Sequence, residues 1–186
     1  MTASNKKRAI FLDRDGVINV DNGYVSVVDD FEFIDGVIEA LQRLKDKGYL
    51  IVVITNQSGI ARGYFTEEQF HTLTEWMDWS LVDRGVELDG IYYCPHHAEY
   101  GIGKYKMDCE CRKPKAGMIN EAVQELNIDI TQSILVGDKV SDIQAGLVAG
   151  ITTNYLVRTG KAITTQGEEL ATAIYDDLAS AVETIQ

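Results

Sequence analysis

The sequence has no excess of basic residues, because 29 Asp and Glu outnumber 17 Lys and Arg and give a formal net charge of −12. A surface this acidic repels phosphate backbones and anionic lipids, so we expect neither nucleic acid nor a membrane surface as a partner. Any site for a phosphorylated ligand must therefore concentrate some of the Lys and Arg residues locally.

Long apolar runs and linkers are also missing. No stretch approaches the ~20 apolar residues of a membrane span, and the basic start, MTASNKKRA, is not followed by the apolar core of a signal peptide. We therefore expect a cytoplasmic protein. Because no repeat, low-complexity segment or Ser/Pro-rich linker divides the 186 residues, we predict a single domain over residues 1–186, present as a monomer.

Cysteine is scarce, and all three copies fall in one short window: Cys94, Cys109 and Cys111. In a reducing compartment such clustering favours metal binding over a disulfide. With His96 these thiols form a tetrahedral ligand set suited to structural Zn²⁺, although the neighbouring His97 is an alternative ligand. An irregular stretch of this length usually carries a function or is held by a ligand, so we predict a zinc-stapled loop over residues 94–111.

The chain does contain a regular alternation of short apolar runs and helical patterns. Five runs are rich in β-branched and aromatic residues and predict strands: KRAIFL, YLIVVIT, DGIYYC, SILVGD and TTNYLV. Apolar residues at helical spacing predict helices near residues 36–48, 66–81, 118–126, 141–149 and 177–185. This order predicts an α/β fold with a mostly parallel sheet, which a strand and helix within residues 173–185 would complete.

Carboxylates follow two of these strands directly. Asp13 and Asp15 come after the first strand, and Asp138 follows the run SILVG. Ligands bind at the carboxyl ends of strands in an open parallel sheet, so we expect these residues to meet at one edge. Asp13, Asp138 and a backbone carbonyl near Asp15 would form a hard-oxygen site suited to Mg²⁺. The alternative, for each residue alone, is a solvated turn or a helix cap.

Residues able to bind phosphate are found at two further positions. Polar side chains and backbone N–H groups follow the second strand at Thr55, Asn56, Gln57 and Ser58. Arg112 and Lys113 are predicted to open the third helix together with Pro114, and Lys113 could neutralise a phosphoryl group in the cleft. A simple turn and a pair of solvated surface charges are the alternatives.

Taken together, four motifs resemble those of the haloacid dehalogenase superfamily, in its phosphatase branch. They are Asp13-x-Asp15-Gly16, Thr55 after an apolar strand, Lys113 near a helix start, and Gly137-Asp138-x-x-x-Asp142. They occur in the expected order over nearly the whole chain. The resemblance implies a Rossmann-like, three-layer α/β sandwich with a minimal cap, and Mg²⁺-dependent phosphoryl transfer.

Residue roles follow from the same resemblance. It implies that Asp13 is the nucleophile that forms an aspartyl-phosphate, and that Asp15 is the general acid and then the general base. Thr55 and Lys113 would hold the phosphoryl group. Mg²⁺ would be bound by Asp13, Asp15 and Asp138, and Asp142 would orient this site from behind.

The segments NVDNGYV, TNQSGIARG and CECRKP are similar to those of superfamily members that act on a sugar bisphosphate. This similarity implies substrate contacts from Asn56, Gln57, Ser58 and Arg112, and from a segment that we call the substrate loop: Asp21, Asn22, Gly23 and Tyr24. Lys139 and Arg62 are further candidates for contact with an anion. Histidinol-phosphate phosphatase is the alternative activity, and a non-catalytic binding protein on the same fold is an alternative of a different class.

Overall fold

The computed structural model describes residues 6–186, and its centre is a sheet of six strands. The strands are β1 (Ala9–Leu12), β2 (Leu50–Asn56), β3 (Gly90–Cys94), β4 (Ile134–Gly137), β5 (Thr153–Val157) and β6 (Ala173–Tyr175). They lie in the order β3-β2-β1-β4-β5-β6, and every neighbouring pair is parallel. The predicted α/β class is confirmed. The predicted domain includes residues 1–5, which lie outside the described residues.

Helices cover both faces of the sheet and make three layers. Helices α1 (Val37–Asp46), α3 (Glu67–Val82) and α7 (Leu178–Thr184) pack on one face, and α4 (Gly117–Glu125), α5 (Val140–Ala149) and α6 (Thr165–Leu170) on the other. Because side chains alternate along a strand, β1 sends Ile10 and Leu12 to the first face and Ala9 and Phe11 to the second. Burial on both faces explains why the strands are almost wholly apolar.

The predicted strands and helices are all present, with β6 and α7 completing the sheet and its cover as expected. Two short helices were not predicted, α2 (Ser58–Ala61) and α6, because one turn or so of helix is too short to show a period. The predicted helix start at Arg112–Pro114 is wrong. Helix α4 begins at Gly117, whose N–H donates to the Glu110 carbonyl, so the chain first turns back on itself.

The segment between β1 and α1 bears on access to the carboxyl edge. It contains one 3₁₀ turn, Val28–Asp30, and no further helix or strand before α1, so the prediction of a minimal cap is confirmed. The site at the carboxyl edge is therefore covered by loops rather than by a second folded unit. Within residues 6–186, no helix is both long and apolar enough to cross a membrane.

Candidate active site

The carboxylates meet where the order of the sheet reverses. The chain runs from β1 outward through β2 and β3, then returns to place β4 on the other side of β1. A crevice opens at such a switch point, beyond the carboxyl ends of the two central strands. Asp13 follows β1, Asp138 follows β4, and Asp142 lies in the first turn of α5. All three are buried, and each offers an oxygen within 4.8 Å of the others.

Two lysines neutralise part of this charge. Lys113 Nζ lies 3.1 Å from Asp13 Oδ1 and 2.7 Å from Asp142 Oδ1. Lys139 Nζ lies 2.8 Å from Asp138 Oδ1 and 3.5 Å from Asp13 Oδ2. Three carboxylates thus face two ammonium groups, which leaves net negative charge in a buried place. This excess, carried on hard oxygen atoms, fits a divalent cation such as Mg²⁺.

The local environments shift the pKa values of Asp13 and Asp138 in opposite directions. Burial alone would raise the pKa of Asp13, but Lys113 and Lys139 hold it below its ordinary value. Burial and the nearby charge on Asp13 together raise the pKa of Asp138 to about 6. Asp13 is therefore kept ionised without a metal, whereas Asp138 keeps its proton up to a higher pH than an ordinary aspartate.

Glycines allow the Asp138 carboxylate to be enclosed. A Cβ at Gly160 would lie 2.1 Å from Asp138 Oδ2, and one at Gly16 would lie 2.7 Å from the same atom. Gly16 also has a φ of +89°, which side chains rarely adopt. The glycine of the DRDG motif thus has two purposes: it turns the chain after Asp15 and leaves room for Asp138.

Asp15 has a different environment from the three convergent carboxylates. It accepts hydrogen bonds from Arg14 at 2.9 Å, from Asn19 at 3.0 Å and from Gln57 at 3.0 Å. The same Gln57 amide donates to Thr55 Oγ1 at 2.9 Å, so one side chain connects two predicted catalytic residues. The Asp15 carboxylate is not in the group of three, so a metal contact from Asp15 stays a prediction for its backbone carbonyl.

A cavity of about 240 Å³ opens in front of this site. Its lining includes Asp15, the predicted general acid, and most of the predicted contact residues: Asp21, Gly23, Tyr24, Asn56, Gln57, Ser58 and Lys139. Asn22 and Arg112 are not among the residues that line it; Asn22 is exposed, and the Arg112 guanidinium donates to the His96 carbonyl at 3.2 Å.

Arg14 and Lys161 are site residues that were not predicted from the sequence. The Arg14 guanidinium is buried against Asp15, and Lys161 lines the cavity. Lys161 follows β5, so the rule that found Asp13 and Asp138, polar residues just past a strand, could have found it also.

Asn56 connects β2 to the segment that carries Lys113. Its amide donates to the Lys113 carbonyl, and its carbonyl accepts from the Lys113 N–H, both at 3.1 Å. This pair of bonds fixes the Lys113 backbone, while Lys113 Nζ donates to the Ile54 carbonyl at 2.8 Å. Lys113 is thus positioned by β2 rather than by a helix start.

The three cysteines and His96 form a second cluster. Their ligand atoms lie within 4.8 Å of one another, and the thiols are free rather than disulfide-bonded. Cys111 Sγ lies 3.0 Å from Cys94 Sγ, 3.2 Å from Cys109 Sγ and 3.5 Å from His96 Nδ1. His97 points elsewhere, since its Nδ1 accepts from the backbone N–H groups of residues 99 and 100.

The chemistry of this cluster suits a thiophilic cation. The hydrogen bond shared by the two sulfurs raises the pKa of Cys94 and lowers the pKa of Cys111 to about 5. One thiolate is therefore already favoured, and Zn²⁺ bound to three sulfurs and one imidazole nitrogen is a common structural arrangement. The donor set fits zinc with His96 rather than His97 as the nitrogen ligand.

Comparisons with known proteins agree with this geometry. The chain is 62% identical, over 92% of both chains, to D-glycero-beta-D-manno-heptose-1,7-bisphosphate 7-phosphatase of Haemophilus influenzae. The chain belongs to the D-glycero-beta-D-manno-heptose-1,7-bisphosphate 7-phosphatase family. The member from Escherichia coli K12 is 57% identical to it over 96% of this chain and 93% of its own length.

Structural similarity supports membership of this heptose-bisphosphatase family. The D,D-heptose 1,7-bisphosphate phosphatase of B. bronchiseptica, solved with magnesium and phosphate, superposes with a TM-score of 0.81 and 32% identity. The superposition covers 96% of this chain and 97% of that one. A family model described as HAD-hydrolase-like matches residues 110–181. The predicted superfamily and the predicted hydrolase class are thereby confirmed.

Proposed function

We propose that the chain is a Mg²⁺-dependent phosphatase that removes the C7 phosphate of D-glycero-D-manno-heptose 1,7-bisphosphate and leaves heptose 1-phosphate. The observation that carries this proposal is the 62% identity to a relative of that name over 92% of both chains. The reaction would serve ADP-heptose synthesis for the lipopolysaccharide core. We expect residues 1–186 to act as one domain, as a cytoplasmic monomer.

Asp13 is the nucleophile in this proposal. Its ionised carboxylate attacks the C7 phosphorus in line with the sugar oxygen, so that an aspartyl-phosphate forms as the bond from phosphorus to that oxygen breaks. Lys113 and Lys139 both contact Asp13, and their charges offset repulsion between the carboxylate and the anionic phosphate.

Asp15 carries the proton. It protonates the departing sugar oxygen and later takes a proton from the water that hydrolyses the aspartyl-phosphate. The hydrogen bond from Gln57 keeps the carboxylate oriented, and the same amide holds Thr55 Oγ1. Thr55 can then donate its hydroxyl proton to a phosphoryl oxygen beside Lys113.

Asp13, Asp138 and the backbone carbonyl of Asp15 would hold Mg²⁺, with Asp142 behind them. When bound, Mg²⁺ lowers the cost of bringing an anionic phosphate to a carboxylate nucleophile. Asp142 accepts hydrogen bonds from the N–H groups of Asp138 and Lys139 at 3.2 and 3.0 Å. It therefore fixes the start of α5, on which the position of Asp138 depends.

The zinc ligands Cys94, His96, Cys109 and Cys111 have a structural role in this proposal. They join the end of β3 to the loop that leads into Arg112 and Lys113. The Arg112 guanidinium donates to the His96 carbonyl, so a hydrogen bond connects the cluster to the predicted recognition residue. Zinc would thereby fix one wall of the open cleft.

The test is phosphate release, with Mg²⁺, from heptose 1,7-bisphosphate and from histidinol phosphate in parallel. We expect kcat/KM to be at least about a hundredfold higher for the bisphosphate, because a second phosphate adds charge-assisted contacts. A preference for histidinol phosphate would retain the mechanism but contradict the substrate. Turnover of neither, with metal bound, would contradict the proposal as a whole.

The nucleophile is tested by Asp13→Asn. Turnover should fall by on the order of 10³-fold or more, since removal of a nucleophile eliminates the covalent route. Asp46→Asn, at an exposed position at the end of α1, makes the same chemical change outside the site and should leave turnover unchanged. Unchanged turnover in Asp13→Asn would contradict Asp13 as the nucleophile, whereas a non-catalytic binding protein would keep its partner binding in this variant and have no turnover to lose.

A further inference from the structure

The substrate loop, Asp21–Tyr24, forms part of the cavity wall, and both its ends are held by residues outside the four motifs. At the first end, Asp21 Oδ2 lies 2.8 Å from Lys161 Nζ. The Asp21 side chain is 11% exposed and that of Lys161 56% exposed, so the carboxylate is covered while the lysine stem reaches it from the surface. Although burial opposes the change, the hydrogen bond from Lys161 lowers the pKa of Asp21.

Lys161 is itself held firmly by its backbone. Its N–H donates to Asp138 Oδ2 at 2.9 Å, and the preceding Gly160 packs against the same carboxylate. Two residues earlier, the Thr159 hydroxyl donates to the Gly16 carbonyl at 2.7 Å. The turn after β5 is thus fixed to both central motifs, and Lys161 extends from a rigid base.

Tyr24 holds the second end of the loop. Its ring meets the Tyr64 ring edge-on, with centroids 4.7 Å apart and an interplanar angle of 79°. Tyr24 has a φ of +53°, a left-handed conformation that costs a non-glycine residue energy unless its surroundings impose it. The Tyr64 contact is one such constraint, because both rings are otherwise largely exposed.

The lysines around the cavity therefore differ in what they contact. Lys113 and Lys139 pair with Asp13, the predicted nucleophile. In the described part of the chain, Lys161 Nζ instead pairs with Asp21, on the wall that would face the sugar. The Lys161 ammonium group therefore neutralises a carboxylate of the substrate loop rather than charge on the phosphoryl group.

We propose that Lys161 is a positioning residue that acts through Asp21, and that Tyr64 holds the opposite end of the substrate loop. Together they set the shape of the wall that receives the sugar part of the substrate. The inference rests on the proposed function and deepens it, because it assigns selectivity to two residues that the motifs do not include.

The first experiment compares Lys161→Met with the wild type on heptose 1,7-bisphosphate and on p-nitrophenyl phosphate, which lacks a sugar. We expect KM for the bisphosphate to rise about tenfold, with kcat changed less than about twofold and with both constants for p-nitrophenyl phosphate unchanged. Lys161→Arg should restore KM, since a guanidinium also donates to a carboxylate. Equal losses on both substrates would overturn the proposal.

The matched control is Lys45→Met. Lys45 Nζ lies 2.9 Å from Asp89 Oδ2 in a pair of similar length at the opposite edge of the sheet. The Lys45→Met substitution should leave KM unchanged for both heptose 1,7-bisphosphate and p-nitrophenyl phosphate. For the second end of the loop, Tyr64→Ala should raise KM for the bisphosphate, whereas Tyr64→Phe keeps the ring contact and should not.

Two further measurements separate positioning from direct substrate contact and from failure of the proposed function. In an Asp21→Ala background, Lys161→Met should add no further loss, and an added tenfold loss would overturn action through Asp21. Amide exchange of residues 20–26 should be faster in substrate-free Lys161→Met than in the wild type. This readout needs no substrate, so unchanged exchange overturns the proposal for Lys161, whereas an inactive wild type overturns only the proposed function.

Discussion

The carboxylate site and the cysteine cluster both concentrate ligand atoms within 4.8 Å, but they are built in different ways. Asp13 and Asp138 follow adjacent parallel strands, so the sheet itself brings them together. The cysteine cluster has one strand residue, Cys94, while its other ligands come from an irregular loop. Sheet geometry therefore positions the first site, whereas the proposed Zn²⁺ would have to order the second.

Charge differs between the two regions as well. The carboxylates are already partly neutralised by the buried Lys113 and the partly buried Lys139, so we expect the site to fold before a cation binds. The cysteine loop has no comparable core of its own, since Cys109 and Cys111 are only partly buried. Loss of one side chain from the carboxylate site should therefore lower both turnover and the melting temperature. Loss of one ligand from the cysteine cluster should mainly disorder the loop that carries it.

Lys113→Met should have the largest effect. It leaves Asp13 and Asp142 buried without their shared cation, and breaking a buried ion pair typically costs about 3–5 kcal/mol. We expect turnover to be lost and the melting temperature to fall by roughly 10 °C. Arg112→Gln, one residue earlier at a half-buried position, should melt near the wild type. A stable, active Lys113→Met protein would contradict the proposed charge balance.

Cys109→Ser, in the cysteine cluster, should have the next largest effect. A serine hydroxyl is a poor zinc ligand, so bound zinc measured by atomic emission should be lost and activity should fall by about 10- to 100-fold. The far-ultraviolet circular dichroism of the sheet and helices should remain. Full activity in zinc-free Cys109→Ser protein would show that Lys113 needs no support from the loop.

Magnesium should stabilise the carboxylate site in a pH-dependent way. The pKa of Asp138 is raised to about 6, so its contribution to stability is present at low pH and is lost as pH rises through 6. Mg²⁺ reverses that loss at pH 7.5, but at pH 5 it must first displace a proton. A hundredfold excess of Mg²⁺ over Kd adds ~2.7 kcal/mol at the higher pH.

Thermal melts with and without Mg²⁺ at pH 5 and 7.5 measure this difference. The gain in melting temperature should be clearly larger at pH 7.5, and Asp138→Asn should abolish it because the ligand is gone. Equal gains at both pH values would mean that the cation binds without displacing a proton from Asp138.

The contrast between the regions also explains what the sequence could predict. Asp13 and Asp138 were predictable because the end of a strand is visible as an apolar run followed by a polar residue. The cysteine cluster was predictable from ligand chemistry alone. Arg14 was missed because its burial depends on tertiary packing, although its ion-pair partner, Asp15, is the next residue. Lys161 was missed because it pairs with Asp21 across 140 positions of the chain.

The start of α4 shows the same limit. Pro114 resembles a first helical residue. However, the backbone N–H and carbonyl of Lys113 are hydrogen-bonded to the Asn56 side chain, and the helix starts only at Gly117. The residues around Pro114 give no sign of the two hydrogen bonds that come from β2. Helix boundaries that depend on such distant partners cannot be predicted from the neighbouring residues alone.

Asn56→Ala offers the smallest and sharpest change, because Asn56 joins the two regions without belonging to either cluster. Its two hydrogen bonds to the Lys113 backbone would be lost, at a cost of about 1–2 kcal/mol. We expect kcat to fall about fivefold while zinc content stays unchanged, because Lys113 loses its backbone support but keeps its ion pairs. Asn120→Ala, at an exposed position of α4, is the matched control. Loss of zinc in Asn56→Ala would instead mean that β2 also holds the cysteine loop, so that the two regions form one unit.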